Sequence, residues 1–195
     1  MTIVGIDLGT TNSLVASLGE DGPRTIANEF AEHLVPSVVA VAEDGTLLVG
    51  RAAKDRLVVA PGDGRACFKR DMGTDLSYRF GGRQWSPIEC SAAVLRELKR
   101  IAELALKAPV TSAVISVPAY FHDSQRHATI AAARVAGLAV ERIINEPTAA
   151  ALAFGHSHRD REARLLVFDL GGGTFDVTVL EVFEDVIEVK ASGGE

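Results

Sequence analysis

The chain has 195 residues, 47% of them hydrophobic and 24% charged, with a formal net charge of −6. That is the composition of a globular protein, and the acidic balance excludes a general attraction to nucleic acid or to an anionic membrane. No apolar run reaches the length of a membrane span, the start lacks a charged segment followed by a long apolar block, and the only two cysteines, Cys67 and Cys90, lack metal-ligand spacing, so a cytoplasmic protein with reduced, buried structural thiols is expected.

In chain order, residues 1–49 read as a meander of five short strands, broken by Gly19-Glu20-Asp21-Gly22-Pro23 and Glu43-Asp44-Gly45. A helix from about Ala52 to Val59 stops at Ala60-Pro61-Gly62, and a glycine-dotted segment then runs to Gly82. Ser86-Pro87-Ile88-Glu89 combines a capping box with proline at the first helical position, which predicts a long helix. Its stripe of Val94, Leu95, Leu98, Ile101, Ala102 and Ala105 should face a core, and Arg96, Lys99, Arg100, Glu103 and Lys107 should form a solvated face. Val110–Val117 reads as a strand, Asp123 as the cap of a helix ending at Gly137, and Val140–Ile144 as another strand. Pro147 opens an alanine-rich helix ending at Gly155. A polar linker with His156 and His158 follows, read as a solvated loop, and then three strands from Arg164 to Gly194.

One pattern occurs twice. Gly5-Ile6-Asp7-Leu8-Gly9-Thr10-Thr11 and Phe168-Asp169-Leu170-Gly171-Gly172-Gly173-Thr174 each follow a short apolar strand, end it in an aspartate and turn through glycine and threonine into a second strand. The glycines permit close backbone approach, so successive N–H groups can converge on an anion. Neither copy fits a P-loop, which needs a lysine after its last glycine and then a helix, or a dinucleotide fingerprint, which also opens a helix. Two strand-turn-strand phosphate clamps are the reading.

Together with Val117-Pro118-Ala119-Tyr120-Phe121 and Ile144-Asn145-Glu146-Pro147-Thr148-Ala149-Ala150-Ala151, these motifs resemble the nucleotide-binding domain of seventy-kilodalton heat-shock chaperones of the DnaK type. The resemblance runs the length of the chain. It implies an α/β fold, an actin-like ATPase lobe of ribonuclease-H-like design with a mixed five-stranded sheet flanked by helices and a small α+β satellite subdomain. Residues 1–37 and 109–160 would form subdomain IA, 38–108 subdomain IB, and 161–195 the first three strands of a second lobe whose remainder lies in the family beyond this stretch. The chain is expected to be a fragment that binds ATP poorly by itself.

The implied function is ATP binding and hydrolysis that drives cycles of unfolded-peptide binding and release. ATP or ADP with magnesium would be the cofactors, and a J-domain cochaperone, and possibly a nucleotide-exchange factor, the partners. By resemblance, Asp7 and Asp169 hold magnesium through its waters. Gly9, Thr10, Thr11 and Asn12, with Gly171, Gly172 and Gly173, donate to the β- and γ-phosphates. Lys69 neutralises γ-phosphate charge and orients the attacking water, Glu146 positions water near the metal, and Thr174 stands beside the γ-phosphate. Pro118 and Arg126 match the family's proline switch and relay arginine, and Arg142 and Asn145 the surface that meets the linker and the J-domain.

Two departures stand out. The segment Asp71–Pro87 is shorter than in the major DnaK proteins, which points to an HscC-like branch and questions exchange-factor docking. Ile130 replaces a commonly basic relay residue. Other members of the superfamily, small-molecule kinases and actin-like filament ATPases, share the duplicated hairpins. The first would need a substrate pocket with a catalytic aspartate, for which no candidate is seen, and the chaperone-type motifs argue against the second. The three terminal strands expose edges that predict a strand-exchanged or edge-paired dimer.

Overall fold

The computed structural model describes residues 2–157, 163–173, 175–183 and 186–194. The larger sheet contains β1 (Thr2–Asp7), β2 (Asn12–Gly19), β3 (Gly22–Thr25) and β4 (Val35–Pro36). A small sheet follows from β5 (Val38–Val41), β6 (Leu47–Val49) and, beyond helix α1 (Arg51–Val59), β7 (Gly64–Ala66). A 3₁₀ turn at Phe68–Asp71 leads to the hairpin of β8 (Tyr78–Phe80) and β9 (Arg83–Trp85). Then come α2 (Pro87–Leu106), β10 (Val110–Val117), α3 (Asp123–Val135), β11 (Ala139–Asn145) and α4 (Glu146–Ser157). The last sheet is β12 (Ala163–Leu170), β13 (Phe175–Phe183) and β14 (Val186–Gly194).

The larger sheet runs β11-β10-β1-β2-β3, with β4 paired to β2 as a sixth strand. Strands β1, β10 and β11 are parallel, and β1, β2 and β3 antiparallel, so the sheet is mixed as the resemblance implies but has six strands rather than five. The predicted meander over residues 1–49 is corrected too. Six strands form there, and they divide between two sheets because the chain leaves β2 after the short β4 pairing and starts the β6-β5-β7 sheet. The helix expected to be capped by Asp123 begins one residue earlier in effect, with Gln125 Oε1 accepting from the His122 N–H at 2.9 Å and Asp123 sitting in the first turn. Gly137, at φ 75°, ends α3 as expected. Helix α4 runs two residues past Gly155, to Ser157, and the His156–Glu162 linker lies outside the described residues from 158 onward, as does the His156 side chain.

The α2 capping box forms: Ser86 Oγ accepts from the Glu89 N–H at 3.2 Å, and Glu89 Oε2 accepts from the Ser86 N–H at 2.8 Å. Of its stripe, Val94, Leu95, Leu98, Ile101 and Ala102 are buried, whereas Ala105 is exposed because the last helical turn runs past the sheet. The polar face is more than solvated surface. Arg96 donates to the Val135 carbonyl and Lys99 to that of Gly137, tying down the C-terminal end of α3, where cations meet the helix dipole. One apolar cluster takes in Val4, Ile6, Leu8, Leu95 and Ile115 and also Val39, Phe68, Met72, Phe80 and Trp85, so α2 joins the larger sheet to the smaller ones through shared packing. A second small cluster, Val38, Ala40 and Ala53, holds α1 on its sheet. The outward face of β12–β14 stays apolar, with Leu166, Phe168 and Leu170 all more than 60% exposed. No described helix is long and apolar enough to cross a membrane.

The C-terminal ends of β1, β10 and β11 meet at one edge, with Asp7 level with Ser116 and Val117 level with Asn145. Open α/β sheets bind ligands at that edge. Leu98→Ala removes a fully buried side chain from the centre of the shared cluster, and chemical denaturation is expected to register a loss of about 2–5 kcal/mol.

Candidate functional site

Both glycine-rich hairpins form antiparallel strand pairs, β1 with β2 and β12 with β13. Their loops face each other across one cleft of about 1090 Å³, lined by Asp7, Gly9, Thr10, Thr11 and Asn12 from one side and Asp169, Leu170, Gly171 and Gly172 from the other. Lys69, Ser116 and Glu146 line it as well. Residues separated by most of the chain therefore share a single cavity.

The first loop is fastened from behind. Ser37 Oγ donates to the Gly9 carbonyl at 2.7 Å, the Ser37 N–H donates to the Thr11 carbonyl at 2.8 Å, and the Ser13 and Ser37 hydroxyls lie 2.9 Å apart. A Cβ on Gly9 would collide with the Asn12 carbonyl oxygen, so this glycine is required by close approach. The two loops also touch. A Cβ on Gly172 would collide with Thr11 Oγ1, one on Gly173 would come within 2.5 Å of Thr10 Cγ2, and Arg70 Nη2 donates to the Gly172 carbonyl at 3.4 Å.

The third wall is an ion pair. Lys69, brought in by the 3₁₀ turn and 4% exposed, donates from Nζ to Glu146 Oε1 at 2.7 Å. Glu146 is the first residue of α4, where the helix dipole favours a carboxylate. The Phe121 ring lies 5.6 Å from Nζ. Burial nevertheless pushes the Glu146 carboxyl above its ordinary value; Lys69 pulls it down, while Asp7 and Asp169 push it further up. Asp7 is oriented by Ser116, whose Oγ donates to Oδ1 at 2.8 Å.

Asp176 completes the acidic set. It faces Asp169 across the β12–β13 ladder, is 2% exposed, and neither carboxylate oxygen has a hydrogen-bond partner among the described residues. Burial raises its carboxyl above the ordinary value; Asp169 adds to the rise and Lys69 opposes it. Among the described residues no three carboxylate, imidazole or thiol groups converge as a direct ligand shell. Magnesium keeps several waters and needs only one or two carboxylates, so the hard oxygen donors of Asp7 and Asp169, with the orphaned Asp176 carboxylate behind them, fit that ion.

The family model for Hsp70 protein matches residues 3–80 and 74–195, two stretches that overlap slightly. The chain belongs to the Hsp70 family. Proteins of this family are chaperones whose ATPase domains bind ATP or ADP with magnesium. Of the residues that the Hsp70 resemblance singled out, Asp7, Gly9, Thr10, Thr11, Asn12, Lys69, Glu146, Asp169, Gly171 and Gly172 line the cleft together. Gly173 abuts Thr10, and Thr174 lies outside the described residues.

The remaining Hsp70-type positions lie away from this cavity. Pro118 is buried at the end of β10. Arg126 is not the water-facing helix residue that its position suggests: it donates to the Phe121 and Ala119 carbonyls at 3.0 and 3.2 Å and to Asn145 Oδ1 at 2.8 Å. It thereby clamps the 118–121 segment to the end of β11, while Arg142 stands exposed on that strand. Cys90 is buried as expected, with burial pushing its thiol up to about 12, but Cys67 is exposed because it starts the 3₁₀ turn at φ 58°. Ser13, Ser37, Ser116 and Asp176 are additional site residues. For Asp176 the signal was available, since strand alternation sets it on the same side as the buried Thr178 and Leu180.

Two outcomes follow for measurement. Glu146 and Asp176 bind their protons more tightly folded than unfolded, so the stability they contribute is fully present below ordinary carboxylate values and is lost as pH rises through the raised folded values. The thermal midpoint of Asp176→Asn minus that of the wild type is therefore expected to climb with pH across this window, and a difference independent of pH contradicts the assignment. Gly9→Ala is expected to cost about 1–3 kcal/mol of stability by forcing the loop off its Ser37 bonds, read by thermal unfolding.

Proposed function

We propose that this chain is the ATP-binding and ATP-hydrolysing part of a DnaK-type Hsp70 chaperone of HscC-like character, built as an actin-like, ribonuclease-H-like lobe with subdomains at 1–37 with 109–160 and at 38–108, and with residues 161–195 opening a second lobe. The carrying observation is the convergence of both hairpin loops and the buried Lys69–Glu146 pair on one cleft.

Phosphoryl transfer to water needs positioning and charge stabilisation more than covalent chemistry, and these residues supply both. The Gly9–Asn12 and Gly171–Gly173 backbones donate to phosphate oxygens from opposite sides. Lys69 places its cation beside the terminal phosphate, and each charge-assisted bond contributes about 1.5–3 kcal/mol. Glu146 restrains the Lys69 ammonium and accepts from water. Ser116 holds the Asp7 carboxylate in one orientation. Bound magnesium would neutralise phosphate charge between Asp7 and Asp169.

Turnover is proposed for the complete gene product in a cytoplasmic setting, coupled to unfolded peptide through a Pro118 switch and an Arg126 relay and assisted by a J-domain cochaperone that meets the Arg142 and Asn145 surface. The 195 residues alone are proposed to bind ATP weakly, because the resemblance assigns the adenosine pocket to other residues. In the complete product, Lys69→Ala is expected to lower steady-state ATP turnover by about a hundredfold or more, with nucleotide affinity by calorimetry changed far less. Unchanged turnover removes Lys69 from the mechanism.

A further inference from the structure

The 3₁₀ turn that delivers Lys69 ends at Asp71, and Asp71 does not point into the cleft wall. Its Oδ2 accepts a hydrogen bond from Tyr78 Oη at 2.6 Å and lies 3.7 Å from Arg65 Nη2. The Arg65 guanidinium in turn sits 4.6 Å from the centre of the Tyr78 ring. Burial and the Asp71 carboxylate push the Tyr78 hydroxyl well above its ordinary value, so it remains a donor at any physiological pH. The three side chains come from three places: β7, the turn itself and β8.

Each of those places is independently anchored. Arg65 belongs to β7, which pairs with the central β5 of its sheet. Tyr78 opens the short β8–β9 hairpin, level with Trp85, whose ring stacks on Phe80 at 5.0 Å. That hairpin closes through Gly81 and Gly82, at φ 56° and 76°, the paired positive values a two-residue primed turn requires. On the other side, Phe68 and Met72 are each 1% exposed and fix the ends of the turn in the core. Between them, the peptide groups carrying Lys69 are held by 3.3 Å bonds at the long limit, Arg70 N–H to the Cys67 carbonyl and Met72 N–H to the Lys69 carbonyl. On the far side of the turn from the cleft, the Asp71 carbonyl accepts from Thr74 Oγ1 at 2.7 Å, a neighbour within the same stretch, whereas the Tyr78–Asp71 bond ties the turn to a separate element, the β8–β9 hairpin.

We propose that Arg65, Asp71 and Tyr78 are positioning residues that hold the turn, and through it the Lys69 ammonium, at its depth in the cleft. The consequence for turnover rests on the ATPase reading above; the effect on the ammonium does not. Two of the three, Asp71 and Tyr78, lie in the segment Asp71–Pro87, so the short version of this stretch acts as a brace for the phosphate-facing lysine, with Arg65 joining it from β7.

The test uses the ¹⁵N-labelled chain and the side-chain ammonium signals of its five lysines, with Lys69 identified by the signal missing in Lys69→Met. A buried, paired ammonium exchanges slowly with water and is visible. Tyr78→Phe, which removes only the hydroxyl, is expected to speed Lys69 ammonium exchange about tenfold, the factor of one charge-assisted bond lost, with backbone amide exchange unchanged. Asp71→Asn carries the same readout and the same expected direction should Tyr78→Phe fail to fold. Lys69 exchange within about twofold of wild type in the folded variants, an equal acceleration of all amides, or no protected Lys69 signal in the wild type overturns the proposal. In the complete product the same variants are expected to lower kcat with KM for ATP little changed. If wild-type turnover is absent, the ATPase reading fails while the ammonium result still decides this one.

Discussion

The organisation of the cleft depends on one buried ion pair. Lys69 and Glu146 are 77 residues apart in sequence, yet their charges meet at 2.7 Å with both side chains largely out of water. Burying either charge alone is costly, and breaking such a pair from one side typically destabilises by about 3–5 kcal/mol. The pair therefore locks the 3₁₀ turn to the first residue of α4. Replacing both charges with packed apolar groups is often neutral in stability, so the pair's worth here lies in holding a cation among Asp7, Asp169 and Asp176 rather than in strengthening the fold.

Around that pair the sheet edge imposes the geometry. Parallel strands β1, β10 and β11 must all end on the same side, which brings Asp7, Ser116 and the start of α4 together without any contact having to arrange them individually. The antiparallel hairpins then fold their glycine loops back toward that edge. Four carboxylates, Asp7, Glu146, Asp169 and Asp176, and one lysine compress into a small volume, and their desolvation and mutual repulsion appear as the upward displacement of the Glu146 and Asp176 carboxyls. Such strain is characteristic of a place that awaits positive charge.

Much of this was legible in the sequence because it is written locally. The two hairpins, the Ser86–Glu89 box, the β10–α3–β11 unit and the alanine-rich α4 each rest on signals a few residues long. What was not legible depends on partners distant in sequence. Ser37, between β4 and β5, fastens the Gly9 loop across 28 residues and Ser116 orients Asp7 across 109, and neither serine carries a mark of its task in the sequence. The Arg126 clamp was missed for the same reason: early helical arginines usually face water, and it is the Phe121 and Ala119 carbonyls together with the distant Asn145 that override that preference. The glycine-dotted segment up to Gly82 hid its strands because β7 and β8 are three residues each, too short for periodicity to register. In β13, Phe175, Val177 and Val179 alternate on one face, and Asp176 lies on the other, buried side.

The contrast between the two thiols makes the molecule its own reporter. Cys90 is sealed in the core and stays protonated across the usable pH range, whereas Cys67 is open to solvent two residues before Lys69. A maleimide dye or spin label added to the unaltered chain should accordingly attach at one place only, on the turn that carries Lys69, where it can follow changes in the cleft without any engineered cysteine.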